Sequence, residues 1–276
     1  MASCFQGGRK ILRSLAWYRE LKRPQERLRN GAFLIEGRRA ISQIAAASPR
    51  SILEILTDGE ERFDCAVAAP LRRLTAKQFR AIVSAQNPQG VAAVVSLPPH
   101  SYAGTLPACP GKRILLLDDI QNPGNVGTLV RSAAAFGFDG VLMTASCADP
   151  FSPKSVQASA GAVLSLWIRR SDACAGMARR LKERGFEIIA ADMAGECAAA
   201  PKHGRGSPFV LALGNEGRGL SREFRDMAEW ALSVPIDRSR AESLNVSAAG
   251  AICMYVLTRE QPWAAHVETP RRGVST

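Results

Sequence analysis

Apolar and polar positions along the chain fall into short blocks whose period switches repeatedly between that of a strand and that of a helix. In the first hundred residues, 32-AFLIEG, 52-ILEIL, 66-AVAAP and 90-GVAAVVSL read as short strands. Between them, 38-RRAISQIAAA and 75-TAKQFRAIVSA read as helices, which makes a small α/β domain. From residue 113 the alternation is regular. Strands are predicted at 113-RILLLDD, 139-DGVLMT, 163-VLSLWI, 186-FEIIAAD, 209-FVLALG and 231-ALSVPI. Helices are predicted at about 127–137, 154–160, 172–184, 221–228 and 246–259. Such alternation predicts an α/β fold in which helices cover both faces of a parallel sheet. Ligands bind such sheets beyond the carboxyl ends of the strands. Three polar loops lie there, after 113-RILLLDD, 209-FVLALG and 231-ALSVPI.

The stretch 97-LPPHSYAGTLPACPG-111 carries four prolines and two glycines without periodicity and reads as a linker. With 276 residues the chain exceeds the usual single-domain size. The expected organisation is a front domain over 1–100, a linker over 101–111, a C-terminal domain over 112–265 and a tail over 266–276.

Composition narrows the partners. The net charge of +11 is uneven: residues 1–100 hold 16 Lys/Arg against 8 Asp/Glu, a balance of +8, and the remaining residues hold 20 against 17, a balance of +3. A basic front segment that also carries Trp17 and Tyr18 suits a polyphosphate partner. Seven cysteines at positions 4, 65, 109, 147, 174, 197 and 253 form no CxxC pair, which points to reduced thiols and a cytoplasmic setting. His100, His203 and His266 have no metal-ligand spacing, so no metal site is expected. No stretch is apolar for long enough to span a bilayer, and no membrane association is expected. The N-terminus lacks a secretory pattern but is basic and nearly free of acid before Glu20, a composition that organelle transit peptides share.

The three loops carry the candidate chemistry. In 118-DDIQNPGNVGTLVRSAAAFGF-138, Asn122-Pro123 and Gly124-Asn125 are turn signals, Gly127 permits close backbone approach, and Arg131 falls about one turn into the following helix. Taken alone, Asn125 could equally be a helix cap and Arg131 a solvated surface residue. The loop 211-LALGNEGRGLS-221 places Gly214, Gly217 and Gly219 around Glu216. Its GxxGxG order differs from the GxGxxG of dinucleotide folds, although Asp237 lies about twenty residues on as that fingerprint requires. No GxxxxGK[ST] phosphate loop occurs, which disfavours an NTPase. In 235-PIDRSRAESLNVSAA-249, Asp237, Arg238, Arg240, Glu242, Ser243, Asn245 and Ser247 crowd one turn, and Asn245 or Ser243 could cap the helix that follows.

Together, 122-NPGNVGTLVR-131, 213-LGNEGRGLS-221 and 234-VPIDRSRAESLNVSAA-249 resemble motifs 1, 2 and 3 of the SpoU (TrmH-like) RNA ribose 2′-O-methyltransferases of the SPOUT superfamily. The resemblance is close from about 112 to 260. More loosely, 28-LRNGAFLIEGRRAI-41 and 87-NPQGVAAVV-95 resemble the small, L30e-like substrate-binding domain often fused in front. It implies S-adenosylmethionine as methyl donor, an RNA substrate, a homodimer and a C-terminal trefoil knot, which no pattern in the sequence itself reveals. It also implies that Gly214, Val234 and Leu244 hold the donor through main-chain contacts, with Leu213, Ile236 and Leu244 packing on it and Gly217 allowing close approach. Asn125, Arg131, Glu216, Ser243 and Asn245 match the polar catalytic constellation. A guanidinium is a poor base and a good bidentate phosphate ligand. Arg131 is therefore read as positioning a phosphate and easing alkoxide formation, with Glu216 and Asn125 orienting it and the proton passing to phosphate or water. Ser243 and Asn245 are read as holding the ribose or the loop. The two-domain layout leans towards ribosomal RNA. A tRNA 2′-O-methyltransferase and a non-catalytic RNA-binding protein that kept the fold are the alternatives, and a nucleotide-dependent oxidoreductase is a distant third.

Overall fold

The computed structural model describes residues 13–59, 67–197 and 206–258. Helices α1 (Leu15–Glu20) and α2 (Pro24–Asn30) lead into strand β1 (Ala32–Glu36), helix α3 (Arg38–Ala47) and strands β2 (Ile52–Thr57) and β3 (Leu71–Arg73). Helix α4 (Ala76–Ile82) and β4 (Val91–Ser96) follow, then β5 (Arg113–Leu117), α5 (Pro123–Ala135), β6 (Gly140–Met143), α6 (Pro153–Ser159) and β7 (Trp167–Arg170). The chain continues through α7 (Cys174–Glu183), β8 (Glu187–Cys197), β9 (Phe209–Leu213), α8 (Arg222–Met227), β10 (Trp230–Ser233) and α9 (Val246–Thr258).

Two compact units result, one of residues 1–99 and 149–165, the other of 100–148 and 166–276. The first holds a mixed sheet in the order β1-β4-β2-β3, with β4 antiparallel to both its neighbours and β2 parallel to β3. Thr75 opens α4 with the reciprocal side-chain and backbone bonds that Gln78 three positions later allows. The strand expected at 66-AVAAP instead lies just beyond Pro70, at β3; residue 66 is outside the described residues, as are the tail, His203 and His266.

Helix α6 and its flanks join this first unit, although chain order placed the predicted helix among those covering the second sheet. Three contacts explain the docking. Phe151 packs on Phe33 with ring centroids 5.3 Å apart, and a Cβ on Gly161 would meet the Ala40 carbonyl at 2.9 Å. The Arg27 guanidinium, 1% exposed, pairs with Asp149 and donates to the carbonyls of Leu21 and Lys22 at 2.9 and 2.8 Å. Its buried Nε has no hydrogen-bond partner among the described residues. Removing one member of such a pair strands the other charge in the interior. Arg27→Ala should therefore lower stability by about 3–5 kcal/mol, read as a fall in the urea midpoint, whereas an unchanged midpoint would reduce the pair to a surface contact.

The second unit holds six parallel strands in the order β10-β8-β9-β5-β6-β7. Ile114 through Leu117 and Phe209 through Leu213 are buried without alternation, as strands covered on both faces must be. Chain order runs outward from β5 through β6 to β7, then returns to the far side of β5 for β8 and β9, so the loops that follow β5 and β9 stand side by side. Among the described residues no helix is long and apolar enough to cross a membrane.

Candidate active site

Beyond the carboxyl end of β9 the chain folds back on itself at Gly214–Leu220. Asn215 and Gly219 close this loop through two backbone bonds of 3.0 and 2.8 Å. Inside it, Asn215 Oδ1 accepts from the Gly217 and Arg218 amides at 3.0 and 3.2 Å. Asn215 Nδ2 turns outward and donates to the Asp119 carbonyl at 2.9 Å and its carboxylate at 3.1 Å. Arg218 pairs with the same carboxylate, and the Ser221 amide donates to Asp118 at 2.8 Å. The loop after β5 and the loop after β9 are thus tied together by side chains about a hundred positions apart. Burial alone would raise the Asp119 carboxyl, but bonds from Gln121, Ser146 and Arg218 and the Arg218 charge hold it below the ordinary range. A depressed carboxyl stabilises the folded state above its unfolded pKa, and that contribution is lost as pH falls through the folded value.

The glycines of this loop are not equivalent. A Cβ on Gly214 would lie 2.1 Å from the Gly219 carbon and the Leu220 nitrogen, so the returning backbone excludes any side chain there. Gly219 adopts φ +68°, which favours glycine. Gly217 has room: its nearest neighbour would be Asn215 Oδ1 at 3.7 Å. At Gly214 the demand for glycine comes from the loop itself, whereas at Gly217 no neighbouring protein atom imposes it.

Two helix starts converge on Glu216. Helix α5 begins four residues earlier than its periodicity predicts, because Pro123 occupies its first position and Asn122, not Asn125, is the cap, accepting from the Gly124 amide at 2.8 Å. Asn125 in the first turn is free to donate through Nδ2 to Glu216 Oε1 at 2.8 Å. Asn245 precedes α9 and its Oδ1 accepts from the Ser247 amide at 2.9 Å, so it caps that helix; its Nδ2 donates to Asn125 Oδ1 at 3.2 Å. The two helices approach closely because position 250 is glycine: a Cβ there would meet Leu129 Cδ2 at 2.5 Å and Leu213 Cδ1 at 2.7 Å. Both α5 and α9 run for 13 residues, and each brings the positive end of its dipole to one place. That place can stabilise a negative charge.

Of the five predicted catalytic residues, Asn245, Asn125 and Glu216 form one hydrogen-bonded chain, and Ser243 and Glu216 line a cavity. Arg131 stands apart. It is exposed on α5, about 9 Å along the axis from Asn125 and about 120° around it by helix geometry. Among the described residues no hydrogen bond or ion pair ties it to Asn125 or Glu216; these two hold each other and Asn245. Asp237, Ser239 and Arg240 turn out to serve each other: Ser239 donates to Asp237 through its amide and hydroxyl at 3.0 and 2.6 Å, and Arg240 pairs with it at 3.2 Å.

The cavity, of about 340 Å³, opens beyond β8, β9 and β10 and is lined by all six predicted donor-binding residues, Leu213, Gly214, Gly217, Val234, Ile236 and Leu244. Cys253 adds to its wall; burial pushes that thiol up to about 12, so it remains neutral and acts as an apolar surface. Asp192, Asn215, Arg218 and Arg225 also line the cavity, and sequence reasoning did not single them out. The one available signal was Asp192's position at the carboxyl end of 186-FEIIAAD.

Sequence comparison matches residues 112–255 to the SpoU rRNA Methylase family. The chain is 30% identical over 242 residues to the Bacillus subtilis 23S rRNA (guanosine(2553)-2′-O)-methyltransferase RlmP, covering 87% of this chain and 94% of that one. It is 28% identical to the 23S rRNA (uridine(2479)-2′-O)-methyltransferase of Streptomyces viridochromogenes, covering 92% of each. The crystal structure of the SpoU methyltransferase AviRb from the same organism, in complex with AdoMet, superposes with a TM-score of 0.74 at 25% identity, over 89% of this chain and 96% of that one.

Proposed function

The chain belongs to the SpoU rRNA methylase family, and we propose that it transfers a methyl group from S-adenosylmethionine to a ribose 2′-hydroxyl of ribosomal RNA. The observation that carries this reading is the adjacency of the apolar cavity to the Asn245–Asn125–Glu216 chain, through Glu216, which belongs to both. The residues fit the donor: Leu213, Val234, Ile236, Leu244 and Cys253 offer apolar walls, and Gly214 and Gly217 keep side chains out of the part of the cavity that the loop borders. When bound, S-adenosylmethionine would supply an activated methyl on a sulfonium, with the neutral thioether as leaving group.

The protein's part is alignment and charge. The two helix starts favour negative charge on the 2′-oxygen as its proton leaves to phosphate or water, and Arg131, farther along α5, is left to hold a phosphate of the RNA. Asn125, itself held by Asn245, fixes the Glu216 carboxylate, so that the loop holding the donor and the helix start facing the ribose move as one. Orientation of two reactants is worth up to about 7–11 kcal/mol in favourable cases.

Ribosomal RNA is favoured because the two full-length relatives are named for it and this chain covers nearly all of each. Their named targets differ in nucleoside, guanosine in one and uridine in the other, so the reading extends to the ribose and not to one base. The family's homodimer and knot are part of the same reading; for the dimer, α9 leaves Ile252 and Tyr255 39% and 56% exposed, an apolar surface suited to a second copy. The protein should bind S-adenosylmethionine and not NAD in calorimetric titration, and should then place labelled methyl on ribosomal RNA and not on transfer RNA. Labelling of transfer RNA alone would move the substrate; binding of NAD alone would replace the reading.

A further inference from the structure

Among the described residues, two carboxylates line the cavity. Glu216 is engaged with Asn125 at the convergence of the helix starts, where the acceptor ribose must come. The other, Asp192, owes its place to an irregularity in β8. Pairing of β8 with β9 ends at Ala190↔Ala212, and its pairing with β10 jumps from Ala190↔Ala231 to Glu196↔Leu232. Five residues, 191–195, therefore leave the ladder, and the first two of them, Ala191 and Asp192, line the cavity. Bulges beside binding sites re-aim side chains in this way. The Asp192 side chain is 33% exposed, with Arg225 Nε 3.9 Å from its Oδ2. Arg225 is itself anchored through Nη2 to the Leu220 carbonyl at 3.0 Å, within the donor loop.

We propose that Asp192 binds the donor by accepting hydrogen bonds from the hydroxyls of its ribose. This rests on the methyl-donor reading above. The reactive end of the donor belongs beside Glu216, so its adenosine ribose, the group carrying two adjacent hydroxyls, is left to the second carboxylate. A carboxylate has acceptor sites for both and no proton to offer, and an acidic side chain at the end of a parallel strand reads ribose hydroxyls in other nucleotide-binding sheets. Arg225 is a positioning residue, which keeps the Asp192 carboxylate turned to the cavity.

The test is calorimetric titration of the full chain with S-adenosylhomocysteine and with its analogue lacking both ribose hydroxyls. Asp192→Ala should weaken binding of the first by about 10–100-fold, the range of hydrogen bonds to a charged acceptor, and of the second by less than about twofold. Asp192→Asn, which keeps one acceptor oxygen, should fall between. Equal losses for both ligands would show that Asp192 acts on another part of the donor, such as its ammonium group, or only on the fold, and would overturn the assignment. So would equal affinity of Asp192→Ala and wild type. A wild-type protein that binds neither ligand would overturn the methyl-donor reading itself.

Discussion

Arg131→Ala should lower methyl transfer by at least about 10²–10³-fold while changing affinity for S-adenosylmethionine by less than about twofold. The split follows from position. Arg131 is exposed on α5, does not line the cavity proposed for the donor and is tied to neither Asn125 nor Glu216 among the described residues, so its removal leaves the cavity's walls intact. What it can reach is solvent, and in solvent the RNA. A charged donor that holds the RNA phosphate beside the reacting ribose is expected to contribute on the order of 2.7–4 kcal/mol to the barrier, as single donors at developing charge do. Arg131→Lys should recover little, because an ammonium cannot reproduce the planar, two-pronged contact with a phosphate. Single-turnover rates with saturating donor separate these outcomes; a rate near wild type for the alanine variant would leave the chemistry to Glu216, Ser243 and Asn245.

Gly214→Val is expected to reduce donor affinity by about 100-fold or more, and Gly214→Ala by nearly as much. The reason is not contact with the donor but closure of the loop that holds it. A Cβ 2.1 Å from two backbone atoms forces Gly219 and Leu220 away, and with them the Asn215–Gly219 bridge and the amides bound to Asn215 Oδ1. Gly217→Ala is the internal control. Its new methyl meets nothing nearer than 3.7 Å, so affinity should stay within severalfold of wild type. Calorimetry on the three variants suffices; equal losses at 214 and 217 would mean that the donor, not the loop, sets the demand for glycine.

Much of this architecture was legible in the order of apolar blocks. Continuous runs such as Ile114–Leu117 are what strands buried on both faces require, and α3 matches its predicted span from Arg38 to Ala47. The failures have local causes. Asn122-Pro123 was read as a turn, but the same two residues are a cap and a first helical position, and only the path of the chain decides between them. Part of 163-VLSLWI became a 3₁₀ turn at Ala162–Leu164, so β7 begins at Trp167. The docking of α6 with the front unit depends on Arg27 finding Asp149 across 122 positions, which no local period records.

The candidate site divides in the same way. Glycines and apolar residues that shape a donor pocket carry a pattern within one loop, and all six predicted ones line the cavity. Asn245, weighed as a helix cap and as a site residue, is both a cap and a link to Asn125. Asn215 and Asp119 were passed over because their value lies in a contact across 96 positions. Asp192 was passed over because its direction depends on a break in strand pairing.

The central claim is that this protein methylates a ribose 2′-oxygen. A methylated 2′-oxygen cannot attack the neighbouring phosphodiester, so the modified position resists alkaline cleavage. The decisive measurement maps that resistance across total RNA from cells lacking the gene, then from the same cells with the wild type or Arg131→Ala restored. The account predicts one protected position, in ribosomal RNA, that is lost on deletion, regained with the wild type and not regained with the alanine variant. A map identical in all three strains, or a mark fully regained with Arg131→Ala, would contradict it.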